Sequence, residues 1–216
     1  NTTIKDCFVL GDVQNAVPQE VHGRYEEPNF GFDESVYDLP KEANIDLLGY
    51  FQTEKYFKDY EDAIRKNFEF KDNIKSQAEL WKKSMPIMND EKTVSIHVRR
   101  GDYLQLSDFH PTCEVPYYDD AMKNFEGYTP LIFSDDMAWC KENLSHHHPI
   151  FVEGNDLNVD MCLMSMCDGH IISNSSFSWW AAWLGNKKNV VAPKTWFGPA
   201  GPQDWEDIYC EGWILC

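Results

Sequence analysis

The sequence predicts an α/β fold whose second half is a doubly wound, Rossmann-like parallel sheet, and three features carry that prediction. From Thr93 onward, short apolar runs alternate with segments of helical period. Such alternation calls for parallel strands joined by crossover helices. The residues suited to ligand chemistry stand directly after the strand-like runs, where open α/β sheets bind their ligands. Residues 1–50 show neither period: Pro18, Pro28, Pro40 and scattered aromatics read as loops and short strands draped over a neighbouring unit.

Taken in order, Phe8-Val9-Leu10 and Ile45-Asp46-Leu47-Leu48 are the apolar anchors of the first fifty residues. Over 55–70, Tyr56, Phe57, Tyr60, Ile64 and Phe68 recur at three- and four-residue spacing with charges between them, which predicts an amphipathic helix. A weaker helix follows over 74–83. Strands are predicted over 94–98, 130–133, 149–152, 170–172 and 189–192. The helices between them cover 116–125, with Pro116 in the first turn, then 136–143, 157–167 and 177–184. The tail from Pro193, rich in Pro, Gly and Trp, is expected to pack back over the sheet. The division is therefore an N-terminal region with helices over 1–90 and a Rossmann-like domain over 91–216.

Composition narrows the function classes. The 216 residues carry a formal net charge of -17, which disfavours nucleic acid as a partner because nothing basic offsets phosphate repulsion. An anionic ligand must meet a local positive pocket. No apolar run approaches the ~20 residues of a membrane span, and no signal peptide is visible. Seven cysteines form no CxxC pair. They read as reduced thiols in a cytoplasmic protein, with Cys162 and Cys167 as small apolar fillers of a helix. Asn1, Asn143 and Asn174 fit the glycosylation sequon, a short and often accidental pattern. The chain opens at Asn1 without a methionine, as expected of the later part of something longer.

Three motifs hold the candidate chemistry. His97-Val98-Arg99-Arg100-Gly101-Asp102-Tyr103 follows the first strand of the alternating half. Two guanidiniums there offer forked donors that match phosphate oxygens, Gly101 allows close backbone approach, and Asp102 is a carboxylate aimed at a reacting centre. The competing reading is a surface ion pair worth under ~1 kcal/mol. Phe133-Ser134-Asp135-Asp136 ends the next strand; one of its polar residues suits a helix N-cap, and a second carboxylate could bind a base edge, a ribose hydroxyl or a divalent metal. Ser173-Asn174-Ser175-Ser176-Phe177-Ser178-Trp179-Trp180 opens a helix, where free amides and small hydroxyls make a phosphate cradle. Trp179, Trp180 and Trp183 suit core packing better than ligand stacking. His146-His147-His148 reads as a solvated loop, because adjacent residues converge poorly on one ion. Asp160 faces either the site or solvent.

In this order, each at a strand end, the three motifs resemble those of GDP-fucose-dependent α-1,2-fucosyltransferases, glycosyltransferase family 11. Gly49-Tyr50-Phe51-Gln52-Thr53-Glu54-Lys55-Tyr56-Phe57 and Ala192-Pro193-Lys194-Thr195-Trp196-Phe197 are similar as well. The resemblance implies a GT-B-like enzyme transferring L-fucose from GDP-β-L-fucose to a glycan acceptor, O2 of galactose, with inversion and without a required metal or other cofactor. It places Arg99 on the diphosphate, and His97 with one of Asp135 or Asp136 on the nucleoside. Arg100, Asn174, Ser175, Ser176 and Ser178 complete the donor-binding set. Arg99 and Asp102 are the catalytic candidates: a fixed guanidinium stabilises the departing diphosphate, and Asp102 serves as base, with Asp135 or Asp160 next in line. The family's glycine-rich opening segment, of the Gly-Gly-Leu-Gly-Asn-Gln type, is missing from this sequence. Two alternatives remain open: a metal-dependent nucleotide-sugar transferase with Mn²⁺ on Asp135 and Asp136, and a non-catalytic GDP-sugar or glycan-binding remnant.

Overall fold

The computed structural model describes residues 4–10, 20–87, 90–186 and 189–216. Its organising element is a six-stranded sheet in which every neighbouring pair is parallel. The strands are β3 (Thr93–Val98), β4 (Thr129–Ser134), β5 (Ile150–Phe151), β6 (Gly169–Ile171), β7 (Val190–Ala192) and β8 (Ile214–Leu215), in the spatial order β5-β4-β3-β6-β7-β8. Helices α4 (Val115–Met122), α5 (Met137–Asn143), α6 (Leu157–Ser165) and α7 (Ser176–Gly185) make the crossovers. The predicted Rossmann-like layout is thus present, with one strand more than the pattern announced. β8 is only two residues long and half-exposed, so it leaves no periodicity to read. Backbone bonds alone define it, from Lys194 N to Cys216 O and from Cys216 N to Ala192 O.

Side-chain alternation assigns each strand face its helices. Val94, Ile96, Val98, Ile132, Ile171 and Val191 pack with α4 and α5 residues such as Tyr118 and Cys140. Leu131 and Phe133 turn the other way, into a core with Val159, Leu163 and Met164 of α6. Val190 and Ala192 pack with Trp179 and Trp183 of α7 and with Trp196 and Ile208 of the tail. The tail therefore does pack back, over β7 and α7. Close packing shows most plainly at Gly169 of β6, where an added Cβ would lie 2.2 Å from Phe125 Cε1.

Upstream, β1 (Gly23–Glu26) and β2 (Ile45–Leu48) pair in parallel as a separate two-stranded sheet. Helix α1 (Ile4–Cys7) and helix α3 (Asp72–Ser84) join the α6 core through Cys7, Ile74 and Ala78. The helix expected over 55–70 is broken. Short 3-10 turns at Glu54–Tyr56 and Lys58–Tyr60 precede α2 (Glu61–Asn67). Its aromatic residues serve different partners: the Tyr56 hydroxyl accepts from Asp33 N, Phe57 stacks on Trp180, and Tyr60 stays exposed. Residues of correct spacing that are drawn to separate surfaces cannot share one helical stripe.

All seven cysteines are free thiols, six of them buried. No described helix is long and apolar enough to cross a membrane. Of the three sequon asparagines, Asn1 lies outside the described residues, Asn143 ends α5 with its amide on Trp139 O, and Asn174 is buried.

The Gly169–Phe125 contact generates a direct expectation. Gly169→Ala should cost about 1–3 kcal/mol in urea unfolding through overpacking. Combining it with Phe125→Leu should recover part of that loss, because the clash is with the aromatic ring.

Candidate functional site

The chain leaves β3 for β4 and β5 on one side, then crosses to β6 on the other, so β3 and β6 flank the switch point of the sheet. The crevice outside their carboxyl ends is where a doubly wound sheet accepts a ligand. Polar residues of β3 face β6 across this line. Ser95 Oγ lies 2.8 Å from His170 Nδ1, and His97 Nδ1 lies 2.8 Å from Ser173 Oγ. Burial, reinforced by the Arg99 charge, pushes the His97 imidazole down to a pKa of about 3. It is neutral near pH 7 and acts as a hydrogen-bonding pin.

After β6, Ser175 turns into extended geometry (φ -134°, ψ 130°) and α7 begins with no side chain capping it. The helices that follow β4 and β5 are closed differently. Asp136 Oδ1 accepts from Trp139 N, and Asp156 Oδ1 accepts from Asn158 N. The ten-residue α7 thus presents its first amides and the positive end of its dipole to the crevice. Ser176 is exposed at this mouth. Ser178 and Asn174 are not: the Ser178 hydroxyl donates to Ser173 O and Ser175 O, and the Asn174 amide donates to Pro111 O and Trp196 O. Ser178 braces the turn, and Asn174, pinned through its amide, borders a cavity with Ser176 and Tyr103.

The two arginines part company. Arg99 stays at the crevice, a third exposed, with Nη1 2.6 Å from Asp135 Oδ2 and Nη2 2.5 Å from Asp102 Oδ1. Arg100 turns inward: its guanidinium carbon sits 4.2 Å from the Trp139 ring, with Asp136 and Glu114 oxygens at 3.4 and 3.5 Å. The structure therefore shows one guanidinium at the crevice where the sequence suggested a pair. Space at Gly101 goes to a side chain, since a Cβ would fall 2.6 Å from Asp135 Oδ2. Asp135 also accepts from Arg100 N, and Asp136 is the N-cap of α5, so each carboxylate is engaged with an arginine.

A wall that the strand-end reading passed over closes the crevice. Tyr50, Gln52 and Ser176 border two adjoining cavities of about 270 and 210 Å³, with Trp179 and Trp180 in the first and Tyr103 and His110 in the second. Glu27 holds the wall by accepting from Tyr50 N and Phe51 N, at 2.7 and 3.1 Å. Phe51 is in the left-handed region at φ 48°. Gly49 is required there, as a Cβ would meet Glu27 Cβ at 2.5 Å. Tyr103 also links the two strand ends, donating from its hydroxyl to Asn174 O at 3.2 Å. The available signal for the wall was the stretch from Gly49 to Phe57, which resemblance flagged and local chemistry did not explain. Trp179 and Trp183 are buried as expected, while Trp180 stacks between Phe57 and Phe68.

Two other candidates lie elsewhere. Asp160, on α6 beside the edge strand β5, accepts from Asn155 Nδ2 at 3.0 Å, and burial raises its carboxyl to about 6. His146 and His147 depart from the sequence reading: both imidazoles converge on Asp119, while His148 is exposed.

By fold and geometry this is a Rossmann-like α/β domain with an anion-receptive helix start at its switch point. The glycosyl transferase family 11 model matches residues 24–216, and the chain belongs to that family. It is 37% identical over 169 residues to an Escherichia coli alpha-1,2-colitosyltransferase, covering 72% of this chain and 57% of that protein. A Bos taurus galactoside alpha-(1,2)-fucosyltransferase 1 is 30% identical over 169 residues, covering 69% and 46% respectively. The chain thus spans about half the length of these relatives. Among solved structures, POFUT1 in complex with GDP aligns over 73% of this chain and 56% of its own, at 11% identity and a TM-score of 0.49.

The buried neutral His97 sets a pH dependence. Its folded pKa of about 3 lies below the ~6.5 of an unfolded histidine, so the unfolded chain binds more protons between these values. The associated stability is present above pH ~6.5 and is lost as pH falls toward 3, at up to ~1.4 kcal/mol per pH unit. Urea unfolding from pH 7 to 4.5 should show a shallower decline for His97→Gln than for the parent chain.

Proposed function

We propose that this chain carries the donor-binding part of an inverting glycosyltransferase that moves L-fucose from GDP-β-L-fucose to O2 of a galactose acceptor. The observation behind the reading is the uncapped start of α7 at a cavity shared by Ser176 and Tyr103, with the Arg99 guanidinium carbon 5.2 Å from the Tyr103 ring. A diphosphate has the charge and the acceptor oxygens to use those amides together with a guanidinium. In this reading the acceptor oxygen attacks the anomeric carbon, the bond from that carbon to the β-phosphate oxygen breaks, and GDP leaves with the electron pair. Arg99 stabilises the charge gathering on the diphosphate. Asp102 takes the proton of the acceptor hydroxyl.

The carboxylates around Arg99 suggest how donor and base are coupled. Asp102 is 60% exposed and Asp135 28% exposed. An entering diphosphate competes most easily for the Asp102 side of the guanidinium, leaving Asp135 in place. Its arrival then frees Asp102 for the acceptor. Arg100, anchored on Trp139, steadies the loop instead of binding donor. The engagement of Asp135 and Asp136 with arginines favours the reading without Mn²⁺. One variant of the proposal has its own support: the similarity to a colitosyltransferase makes colitose an alternative donor sugar.

Calorimetric titration with GDP in EDTA tests the core of this reading, with micromolar binding expected. Binding that appears only on adding Mn²⁺ would favour the metal-dependent alternative. Arg99→Ala should weaken GDP binding by about 2–3 kcal/mol, the scale of a charge-assisted contact, and an unchanged affinity would remove the premise. Asp102→Asn should abolish most fucosyl transfer while leaving GDP affinity equal or slightly improved. A fully active variant would move the base elsewhere.

A further inference from the structure

The structure assigns a second ligand site, for a borderline transition-metal ion such as Zn²⁺, to Asp119, His146 and His147, outside the switch-point crevice. Asp119 lies on α4, and the two histidines lie in the 3-10 turn Ser145–His147 that follows α5. Both helices pack on the same face of the sheet. Because α5 runs back from the carboxyl end of β4, this turn belongs toward the opposite edge of the sheet from the crevice.

Adjacent residues ordinarily point apart, so the convergence here is informative. His146 Nε2 and His147 Nε2 each lie 2.8 Å from the same oxygen, Asp119 Oδ1. Their rings stand side by side with centroids 4.1 Å apart. The left-handed His148 (φ 52°) ends the turn and takes no part in the cluster. One atom from each of the three residues falls within 4.8 Å of the others. In a tetrahedral zinc site with bonds of about 2.0–2.1 Å, neighbouring ligand atoms stand roughly 3.3 Å apart. For the two His–Asp pairs, reaching that spacing needs about half an ångström of opening, and the two imidazole nitrogens already lie within 4.8 Å of each other.

The donor set selects the ion. Two imidazole nitrogens and one carboxylate oxygen suit Zn²⁺, Ni²⁺ or Cu²⁺, whereas Mg²⁺ and Ca²⁺ favour oxygen-only ligands. Access is open from one side: the His146 side chain is 52% exposed and that of Asp119 44%, while His147 at 15% anchors the cluster to the fold. Water would complete the coordination. A metal here would staple α4 to the end of α5.

Zn²⁺ titration of the intact chain, stripped of metal beforehand, provides the test. One equivalent should bind with micromolar affinity, and a hundredfold excess over Kd should raise Tm by roughly 5–10 °C. Asp119→Asn and His147→Gln should each weaken binding at least tenfold with unchanged circular dichroism. Cys216→Ser, which removes the half-buried thiol, should leave binding intact. Should a variant misfold, Co²⁺ added to the parent chain decides: nitrogen and oxygen ligation gives visible bands without thiolate charge transfer. No Zn²⁺ binding, equal affinity in His147→Gln, or a thiolate signature with Co²⁺ would each overturn the site.

Discussion

The seam of buried polar pairs between β3 and β6 is the constraint on which the crevice depends. Ser95 with His170, and His97 with Ser173, sit inside the sheet–helix core with almost no exposure. A buried polar group left without a partner costs more than a typical hydrogen bond contributes. These pairs therefore hold β3 and β6 to one register, Ser95 opposite His170 and Ile96 opposite Ile171. Every residue beyond the strand ends inherits that alignment. Arg99 and the opening of α7 face one crevice because the strands beneath them cannot slip.

Electrostatics at the crevice divide between side chains and backbone. In a chain of net charge -17, the arginine pair is the side-chain source of local positive charge that the sequence offers, beside the helix-start amides. Arg99 arrives already paired with two carboxylates, and Arg100 is spent on Trp139 and Asp136. The uncapped amides of α7 add a positive end that carries no formal charge and does not appear in a residue count. Asp135 links the two motifs physically. It braces Arg99, accepts from the backbone of Arg100 and fills the space that Gly101 leaves open.

The parallel sheet was legible in the sequence because each buried strand is a short apolar run and helical periods lie between the runs, with Pro116 in the first turn of α4. Helix 55–70 was misread because three- and four-residue spacing records only which residues are apolar. It does not record that Tyr56 and Phe57 are wanted by different neighbours. β8 was missed since its pairing is carried by backbone groups that every residue possesses. At the site, residue types named the candidates; the structure turns Arg100 toward Trp139 and Ser178 back onto its own turn, and leaves Asn174 bordering the second cavity. The wall at Tyr50 and Gln52 lies more than forty residues upstream of the nearest motif and carries no acid, base or phosphate-binding pattern of its own.

By itself, the sequence determined the alternation of strands and helices from β3 to β7, the strand-end position of the candidate residues and the motifs whose resemblance points to the family. The first two follow from period and spacing, which are local; the family was read from the likeness of whole motifs to those of known enzymes. Only the tertiary structure decided which way each side chain turns: that Arg99 meets Asp135 while Arg100 packs under Trp139, and that His146 and His147 meet on Asp119. Such choices depend on distant segments competing for the same space and the same hydrogen-bonding atoms. No local pattern encodes the outcome of that competition.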